Sequence, residues 1–391
     1  MGIILPNICN NLSFMAAKVQ YKSDIYSKFF DFLKFCIGTS EQTCTIVGEK
    51  EWSVLFKIAE RQGIIGILYT GLERLDKGQG PKGEVLMRWI AQAQTIRNRN
   101  VQLFRSSADI VERFGKEGSR CCILKGQGLA LLYPNPYMRT PGDIDVWVSG
   151  GRRKLMEYVE KRYPGQTMRY HHVDFPVVKE VPVEVHFTPS YMNSPMANAK
   201  MQKWFEQLAD LQYSNRTELP DGLGEIAIPT LSFNLVYILS HLYRHVFSEG
   251  IGVRQLLDYY YVLTQEDSQE NRTVAARSIE RLGMKRFARA VMYIMVELFG
   301  MDRRYLLFEP DEREGKFLIE EVLIGGNFGQ YDKRLGDKSH ETVGRRWLRM
   351  SVSNMRFVRH YPSEALCEPL FRTWFWMWKR WKGVSNKSML K

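Results

Sequence analysis

Two aspartates separated by one residue are the strongest chemical signal in this sequence. Asp143 and Asp145 flank Ile144 in the run DIDVWV, whose alternation predicts a β-strand. Alternate strand residues share a face, so we expect both carboxylates on one exposed edge, roughly 6.5–7 Å apart at Cα. Such carboxylates repel each other unless a cation lies between them. Hard divalent ions, Mg²⁺ or Mn²⁺, suit the pair, although two solvated acids at a strand start would give the same pattern.

A third carboxylate lies further along, in the run VPVEVHF. Val183 and Val185 alternate there with Glu184 and His186. If this strand lies beside the DIDVWV strand, Glu184 faces the two aspartates, and three converging carboxylates form a two-metal site. The alternative is a solvent-facing acid on an edge strand. His186 shares a face with Glu184, so it is the histidine best placed to bind a phosphate or to orient Glu184.

A lysine–glycine turn precedes the aspartates. The apolar run CCIL predicts a strand that ends at Lys125-Gly126-Gln127-Gly128, and GQGLALLY predicts a helix directly after it. A glycine-rich turn at a helix N-terminus offers backbone N–H groups to a phosphate, and Lys125 adds a charge. A lysine–glycine turn at the end of a strand more often has no role in phosphate binding. Arg139, in the loop before the aspartates, would either bind a triphosphate or fix the loop.

The remaining histidines give weaker signals. His241 and His245 stand four residues apart on a predicted helix, but the glutamate of a zinc protease motif does not follow His241. We expect them to be satisfied helix histidines, or one of them to line a cleft. His171 and His172 stand beside Asp174 on a strand predicted around MRYHHVDFPVV. We expect them to be structural; the alternative is that one of them approaches the active edge.

Helices and a small sheet must position these residues. Apolar residues recur at helical spacing through 25–115, and strand patterns alternate with helix patterns from about residue 119. Helical spacing returns from about residue 196. The sequence therefore predicts an α+β protein, with a small mixed-sheet core at 118–190 between helical regions at 20–117 and 191–391.

The bulk composition narrows the class of protein. The chain has 391 residues, enough for two or three domains, and its 45% hydrophobic and 25% charged residues are ordinary for a soluble globular protein. The net charge of +12 favours anionic partners such as nucleotides, nucleic acid or an anionic membrane face, or serves solubility alone. Six cysteines without a CxxC pair argue against a disulfide framework or a zinc site and favour a reducing cytoplasm.

The two ends of the sequence carry their own patterns. The first residues lack the basic region of a signal peptide, and Met15 is an alternative start that would make residues 1–14 an annotation artefact. No stretch reaches the ~18 apolar residues of a membrane span. Near the other end, a helical aromatic stripe precedes basic residues: Phe371, Trp374, Phe375, Trp378 and Trp381, then Lys379, Arg380, Lys382, Lys387 and Lys391. Packing onto the protein is the favoured explanation, and weak contact with an anionic membrane is the alternative.

The run LKGQGLALLYPNPYMRTPGDIDVWV resembles the signature of a family of uncharacterised bacterial nucleotidyltransferases. Four features recur in order: Lys125-Gly126, Tyr133-Pro134, Arg139 and Asp143-Ile144-Asp145. The later VEVHF is similar to the family's acid-x-histidine strand, and SHLYRHV and GVRQLLDYYYVL resemble its downstream helices. The resemblance covers about residues 50–265, and its diagnostic part is 121–187.

The resemblance implies a polymerase beta-like fold and magnesium-dependent transfer of a nucleoside monophosphate from a nucleoside triphosphate to an acceptor hydroxyl. It makes Asp143 and Asp145 metal ligands. Glu184 becomes the third acid, which ligates the catalytic metal or takes the acceptor's proton. Gln127 stands where familiar members of the superfamily have a serine that contacts the triphosphate, so its amide and Lys125 are the expected substitutes.

Two classes of function remain open on the sequence. One is an active transferase acting on the hydroxyl of a small molecule, peptide or protein, and the intact acidic triad favours it. The other is a non-catalytic or regulatory module that retains the fold and binds a nucleotide or a partner. A template-directed polymerase is disfavoured, because the basic charge is diffuse and we find no helix-hairpin-helix-like element for gripping duplex DNA.

Overall fold

The computed structural model describes residues 24–42, 46, 48–332 and 342–381. The predictions made for residues 1–14, Met15, Lys382, Lys387 and Lys391 fall outside these ranges. Within them, no helix is long and apolar enough to cross a membrane.

The described residues of the N-terminal part form four helices, as the apolar spacing predicted. They are α1 (24–37), α2 (Gly48–Gln62), α3 (Ile65–Leu72) and α4 (Gly83–Lys116). Aromatic side chains join them edge to face: Phe32 and Trp52 have ring centroids 5.3 Å apart, and Phe56 and Trp89 are 5.1 Å apart. Such pairs bury large apolar surfaces and fix the angles between helices.

A four-stranded mixed sheet follows. Its strands are β1 (Cys121–Leu124), β2 (Ile144–Val148), β3 (His172–Asp174) and β4 (Val183–His186). The order across the sheet is β1-β2-β4-β3, with β2 parallel to β4 and the other pairs antiparallel. Helix α5 (Gly126–Ala130) follows β1, and α6 (Gly151–Arg162) lies in the crossover that parallel pairing of β2 and β4 requires. The predicted α+β class and the predicted order of elements are both confirmed.

The two faces of the sheet serve different cores. Ile144, Val146 and Val148 point into a core shared with α4, as alternation predicted. Trp147 points the other way, into the larger helical core, where its ring lies 6.1 Å from that of Phe233. Helices therefore cover both faces of β2.

The C-terminal part is largely helical but begins differently from the prediction. Its helices are α7 (Pro195–Ser214), α8 (Leu231–Ser248), α9 (Val253–Gln265), α10 (Gln269–Arg281), α11 (Lys285–Glu297), α12 (Glu312–Gly325), α13 (Val343–Val358) and α14 (Pro362–Trp381). Between α7 and α8 lies a hairpin that the prediction missed, formed by β5 (Arg216–Glu218) and β6 (Glu225–Ala227). Its turn contains Pro220, Gly222 and Gly224, and these residues end helices.

Some aromatic side chains of the α14 stripe pack on the protein and others are exposed to solvent. Phe371 and Phe375 pack on Tyr170, with ring centroids 5.1 and 5.9 Å away. Trp374 and Trp381 are exposed. Packing therefore accounts for only part of the stripe.

The cysteines of the described ranges are free thiols, namely Cys36, Cys121, Cys122 and Cys367. Cys9 and Cys44 lie outside those ranges. Burial raises the pKa of Cys121 to about 12, so this thiol is unreactive at neutral pH.

Candidate active site

The backbone reverses sharply at Lys125, between β1 and α5. Lys125 has φ +50° and ψ −130°, a left-handed conformation that costs a non-glycine residue about 1–3 kcal/mol. Its ammonium lies 2.9 Å from Asp145 Oδ2. The following helix ends at Ala130 and has only five residues, whereas GQGLALLY predicted a longer one. A helix this short has a small dipole, so the ammonium is the principal positive charge at this turn.

Asp145 lies beneath a helix, not on an exposed edge as the sequence predicted. Only 2% of its surface is accessible, because α8 covers the face of β2 that carries Asp145 and Trp147. Alternation assigned the residues to faces correctly. It gave no information on which face a distant helix would cover.

Glu184 lies directly across from Asp145. The strands β2 and β4 are parallel, and these two residues are partners in the register. His186 Nε2 lies 2.8 Å from Asp145 Oδ1 and 3.4 Å from Glu184 Oε2, and His172 Nδ1 lies 2.9 Å from Glu184 Oε2. Because ionised carboxylates only accept hydrogen bonds, both rings donate here. The structure therefore brings His172 to the site, which was the less favoured of the two alternatives for His171 and His172.

The three carboxylates differ in their proton affinity. Burial and the nearby charges of Asp145 and Glu184 raise the pKa of Asp143 to about 6. Burial alone would raise the pKa of Asp145 as well, but the Lys125 ammonium and the hydrogen bond from His186 lower it to about 2. Asp143 is therefore the member of the set that takes up a proton first.

The histidines hold Glu184 in its charged form. Burial opposes ionisation of Glu184, but hydrogen bonds from His172 and His186 outweigh it and lower the pKa well below the usual value. Burial would also lower the pKa of His186, yet its hydrogen bonds to Asp145 and Glu184 raise it. Burial lowers the pKa of His172 despite its contact with Glu184.

A narrow cleft with a cavity volume of about 40 Å³, partly open to solvent, lies beside the two aspartates. Its walls come from the β1–α5 turn, the loop before β2, and helices α8 and α9. The residues that line it are Lys125, Gly126, Leu129, Arg139, Gly142, Asp143, Asp145, Ile238, His241, Leu242, Arg254, Gln255, Asp258 and Phe328.

Arg139 is already engaged by a carboxylate in this cleft. Its Nε and Nη2 lie 2.7 and 2.8 Å from the two oxygens of Asp258 on α9, a bidentate pair buried from solvent. The hydroxyl of Tyr133 donates to the same carboxylate at 2.7 Å. Asn100 donates to the Arg139 carbonyl at 2.8 Å. These contacts correspond to the loop-fixing role, the second of the two roles predicted for Arg139.

Arg254 is the residue at this cleft that sequence reasoning missed. Its side chain is buried and lies 5.2 Å over the ring of Phe328, and its Nη1 donates to the Pro141 carbonyl at 3.5 Å. Within the described ranges it forms no ion pair with a carboxylate, and its Nε has no hydrogen-bond partner. One sequence signal was present: Arg254 and Asp258 stand four residues apart and so share a face of α9.

Gln127 does not reach the cleft. Its side chain is fully buried and is not among the lining residues, whereas Lys125 and Gly126 are. Neither atom of its amide has a hydrogen-bond partner among the residues described. The expected contact between this amide and a triphosphate is not available in this arrangement.

The donor set fits a hard divalent cation. Oxygen or nitrogen atoms of Asp145, Glu184 and His186 lie within 4.8 Å of one another. Asp143 belongs to no such group among the described residues, but it borders the same cleft. The three carboxylates at the cleft outnumber the one ammonium that contacts them among the described residues, and the raised pKa of Asp143 reflects this excess of negative charge. A cation bound there would compete with Lys125 for Asp145 Oδ2.

Residues 48–300, well over half of the chain, match the family of uncharacterised nucleotidyltransferases. The chain belongs to this family, which confirms the resemblance seen in its sequence. A solved structure of an antigenic nucleotidyltransferase-like protein from Paracoccidioides brasiliensis is similar over 46% of this chain and 88% of that one, at 17% identity and a TM-score of 0.29. No curated protein matches the chain.

Proposed function

We propose that this chain transfers a nucleoside monophosphate from a nucleoside triphosphate to an acceptor hydroxyl, with divalent metal ions held by Asp143, Asp145 and Glu184. The observation that carries the proposal is the parallel register that sets Asp145 opposite Glu184 at a cleft bordered by Asp143. Bound there, Mg²⁺ or Mn²⁺ would neutralise the phosphates and assist ionisation of the attacking hydroxyl.

Lys125 and Arg254 are the proposed ligands of the donor phosphates. Lys125 would contact a phosphate oxygen in place of Asp145 if that carboxylate held a cation, because the ammonium already borders the cleft. Arg254 offers a guanidinium without a carboxylate partner in the described ranges, so a phosphate would complete its ion pairing. Arg139 acts indirectly, because its ion pair with Asp258 fixes the loop that carries Asp143.

We propose that Glu184 acts as a metal ligand rather than as a general base. A base works best when its pKa lies near the working pH, and the two histidines hold the pKa of Glu184 far below that. A carboxylate held ionised and oriented by two N–H donors suits ligation instead. His172 and His186 are then positioning residues, because they act through Glu184.

The proposed site is assembled from more than the sheet. We propose residues 118–190 as the nucleotidyltransferase core, with 20–117 and 191–391 as helical regions around it. Helices α8 and α9 of the C-terminal region supply His241, Arg254 and Asp258 to the cleft. The acceptor is proposed to be a hydroxyl of a small molecule, peptide or protein that enters beside these helices, with no template nucleic acid.

Transfer assays test the proposal directly. The full chain is incubated with each labelled nucleoside triphosphate, Mg²⁺ or Mn²⁺ and a panel of hydroxyl-bearing acceptors, and pyrophosphate release is measured. We expect release that needs both the metal ion and an acceptor, with a matching mass gain on the acceptor or on the chain itself. Tight metal-dependent binding without release for any acceptor would instead support the alternative, a regulatory nucleotide-binding module.

A further inference from the structure

Helices α13 and α14 form a hairpin with its acids inside and its large apolar residues outside. The carboxylate of Glu364 accepts the backbone N–H groups of Asn193 and Ser194 at 2.7 and 3.1 Å. Glu368 accepts from Asn354 at 2.9 Å. Both acids are buried. These contacts, with the packing of the α14 phenylalanines on Tyr170, fix the hairpin to the body of the protein.

The opposite side of the hairpin is apolar and faces solvent. Eight large apolar side chains there are between 46% and 78% exposed: Leu348, Val352 and Met355 on α13, and Leu366, Leu370, Trp374, Met377 and Trp381 on α14. Successive members are three or four residues apart, so each set follows one face of its helix. We call these eight residues the outer face. The indole N–H of Trp347 donates to Thr373 Oγ1 at 3.1 Å, which joins the helices next to it.

The exposed charges of the hairpin itself are of one sign, although Arg356 and Arg372 pair with acids and Lys379 is buried. Residues 342–381 contain eight basic and two acidic residues, and the two acids are the buried Glu364 and Glu368. The basic residues are Arg345, Arg346, Arg349, Arg356, Arg359, Arg372, Lys379 and Arg380. Arg345, Arg359 and Arg380 are exposed. The solvent side of the hairpin is therefore apolar and basic, without a described exposed acid.

We propose that the outer face docks on an anionic lipid surface. Leucine, methionine and tryptophan side chains on an amphipathic helix enter the boundary between headgroups and acyl chains, and surrounding arginines attract anionic headgroups. The contact is peripheral, because no described helix is able to span a membrane. This inference does not rest on the proposed catalytic activity.

The charge and apolar character of the outer face favour a lipid surface over two other partners, a second copy of the chain and nucleic acid. A second copy of the chain would set arginines against arginines across a two-fold axis, which costs energy. Nucleic acid would satisfy the arginines, but its phosphates offer nothing to eight exposed apolar side chains. An anionic bilayer surface complements both properties at once.

Vesicle sedimentation of the full chain tests the proposal. We expect binding to vesicles of phosphatidylcholine mixed with phosphatidylglycerol, weak binding to phosphatidylcholine alone, and loss of binding as salt is raised. Met355→Glu combined with Leu370→Glu should reduce the partition coefficient at least about tenfold, because it places two charges where apolar side chains enter the interface. Met196→Glu changes a methionine on α7 that is even more exposed, and it should leave binding unchanged.

Three outcomes would overturn the inference. One is the absence of binding to anionic vesicles, and another is equal binding of the double variant and wild type. The third is a dimer in sedimentation velocity that the double variant abolishes, which would make the outer face a self-interface. Circular dichroism of the variants shows whether they retain the helical fold, and pyrophosphate release shows whether the catalytic site is independent of this surface.

Discussion

At the scale of residues, the two arginines of the cleft show that the contacts of a side chain determine its role. Arg139 and Arg254 both border the aspartates, and the sequence drew attention only to Arg139. The structure pairs Arg139 with Asp258, a residue more than a hundred positions away. No local pattern carries that information, because residue type and spacing do not reveal which distant carboxylate satisfies a charge.

Replacement of each arginine should therefore have a different effect. Arg254→Gln should weaken binding of the metal–triphosphate complex by about 1.5–3 kcal/mol, the value of a hydrogen bond to a charged group, with little loss of stability. Arg139→Gln should lower the free energy of unfolding by about 3–5 kcal/mol, because it leaves Asp258 buried and unpaired. Calorimetric titration and urea unfolding measure the two quantities. An unchanged affinity in Arg254→Gln would remove that residue from the phosphate site.

The raised pKa of Asp143 predicts a pH dependence. A carboxyl with a folded-state pKa of about 6, against 3.8 ordinarily, stabilises the metal-free fold below pH 3.8, and this contribution is lost as the pH rises through about 6. Magnesium binds the ionised form, so the increase in melting temperature that it produces should grow as the pH rises through about 6. Melting curves with and without Mg²⁺ measure this. Asp143→Asn should remove the dependence, and a magnesium effect that does not change across that range would contradict the assignment.

At the scale of elements, helix α4 holds the loop that delivers the aspartates. Asn100 on α4 donates to the carbonyls of Tyr137 and Arg139 at 2.7 and 2.8 Å. Gly66 on α3 lies so close to this loop that a Cβ there would come 2.2 Å from the Met138 carbonyl oxygen. The N-terminal helices thus set the position of residues that belong to the sheet module.

Loss of this support should be measurable. Asn100→Ala should lower the free energy of unfolding by about 1–3 kcal/mol, because two buried carbonyls lose their donor. Asn98→Ala, on the exposed side of the same helix, is the matched control and should change it by less than about 0.5 kcal/mol. Urea denaturation of both variants decides the matter. Equal stabilities would mean that the loop is held by other contacts.

The sequence predicted the elements better than their extents. Alternation correctly assigned Ile144, Val146 and Val148 to the core, and the condition that β4 lies beside β2 is met. The sequence patterns overestimated the lengths of two elements. Strand β3 covers only His172–Asp174, and helix α5 ends at Ala130. A prediction from residue propensity extends a helix or strand until it reaches a residue that breaks the pattern. In the structure, β3 is shorter because it pairs with β4 only over His172–Asp174.

At the scale of the whole molecule, the cleft belongs to the sheet and the helices together. Lys125 and the aspartates come from the sheet module, while His241 and Arg254 come from α8 and α9. The carboxylates could be singled out from the sequence because their residue types and strand spacing suit metal ligation. The sequence did not single out Arg254 and did not favour the approach of His172, because both depend on how distant segments pack.

The most direct test of the central claim is metal-dependent transfer by Asp143→Asn. This variant replaces a partly buried carboxylate by an amide of the same shape and leaves the contacts of Asp145 with Lys125 and His186 in place. Pyrophosphate release is measured beside wild type and Asp109→Asn, a matched change at an exposed site on α4. The account predicts a folded Asp143→Asn protein with no detectable release and an Asp109→Asn protein at the wild-type rate. Release by Asp143→Asn at the wild-type rate would contradict it.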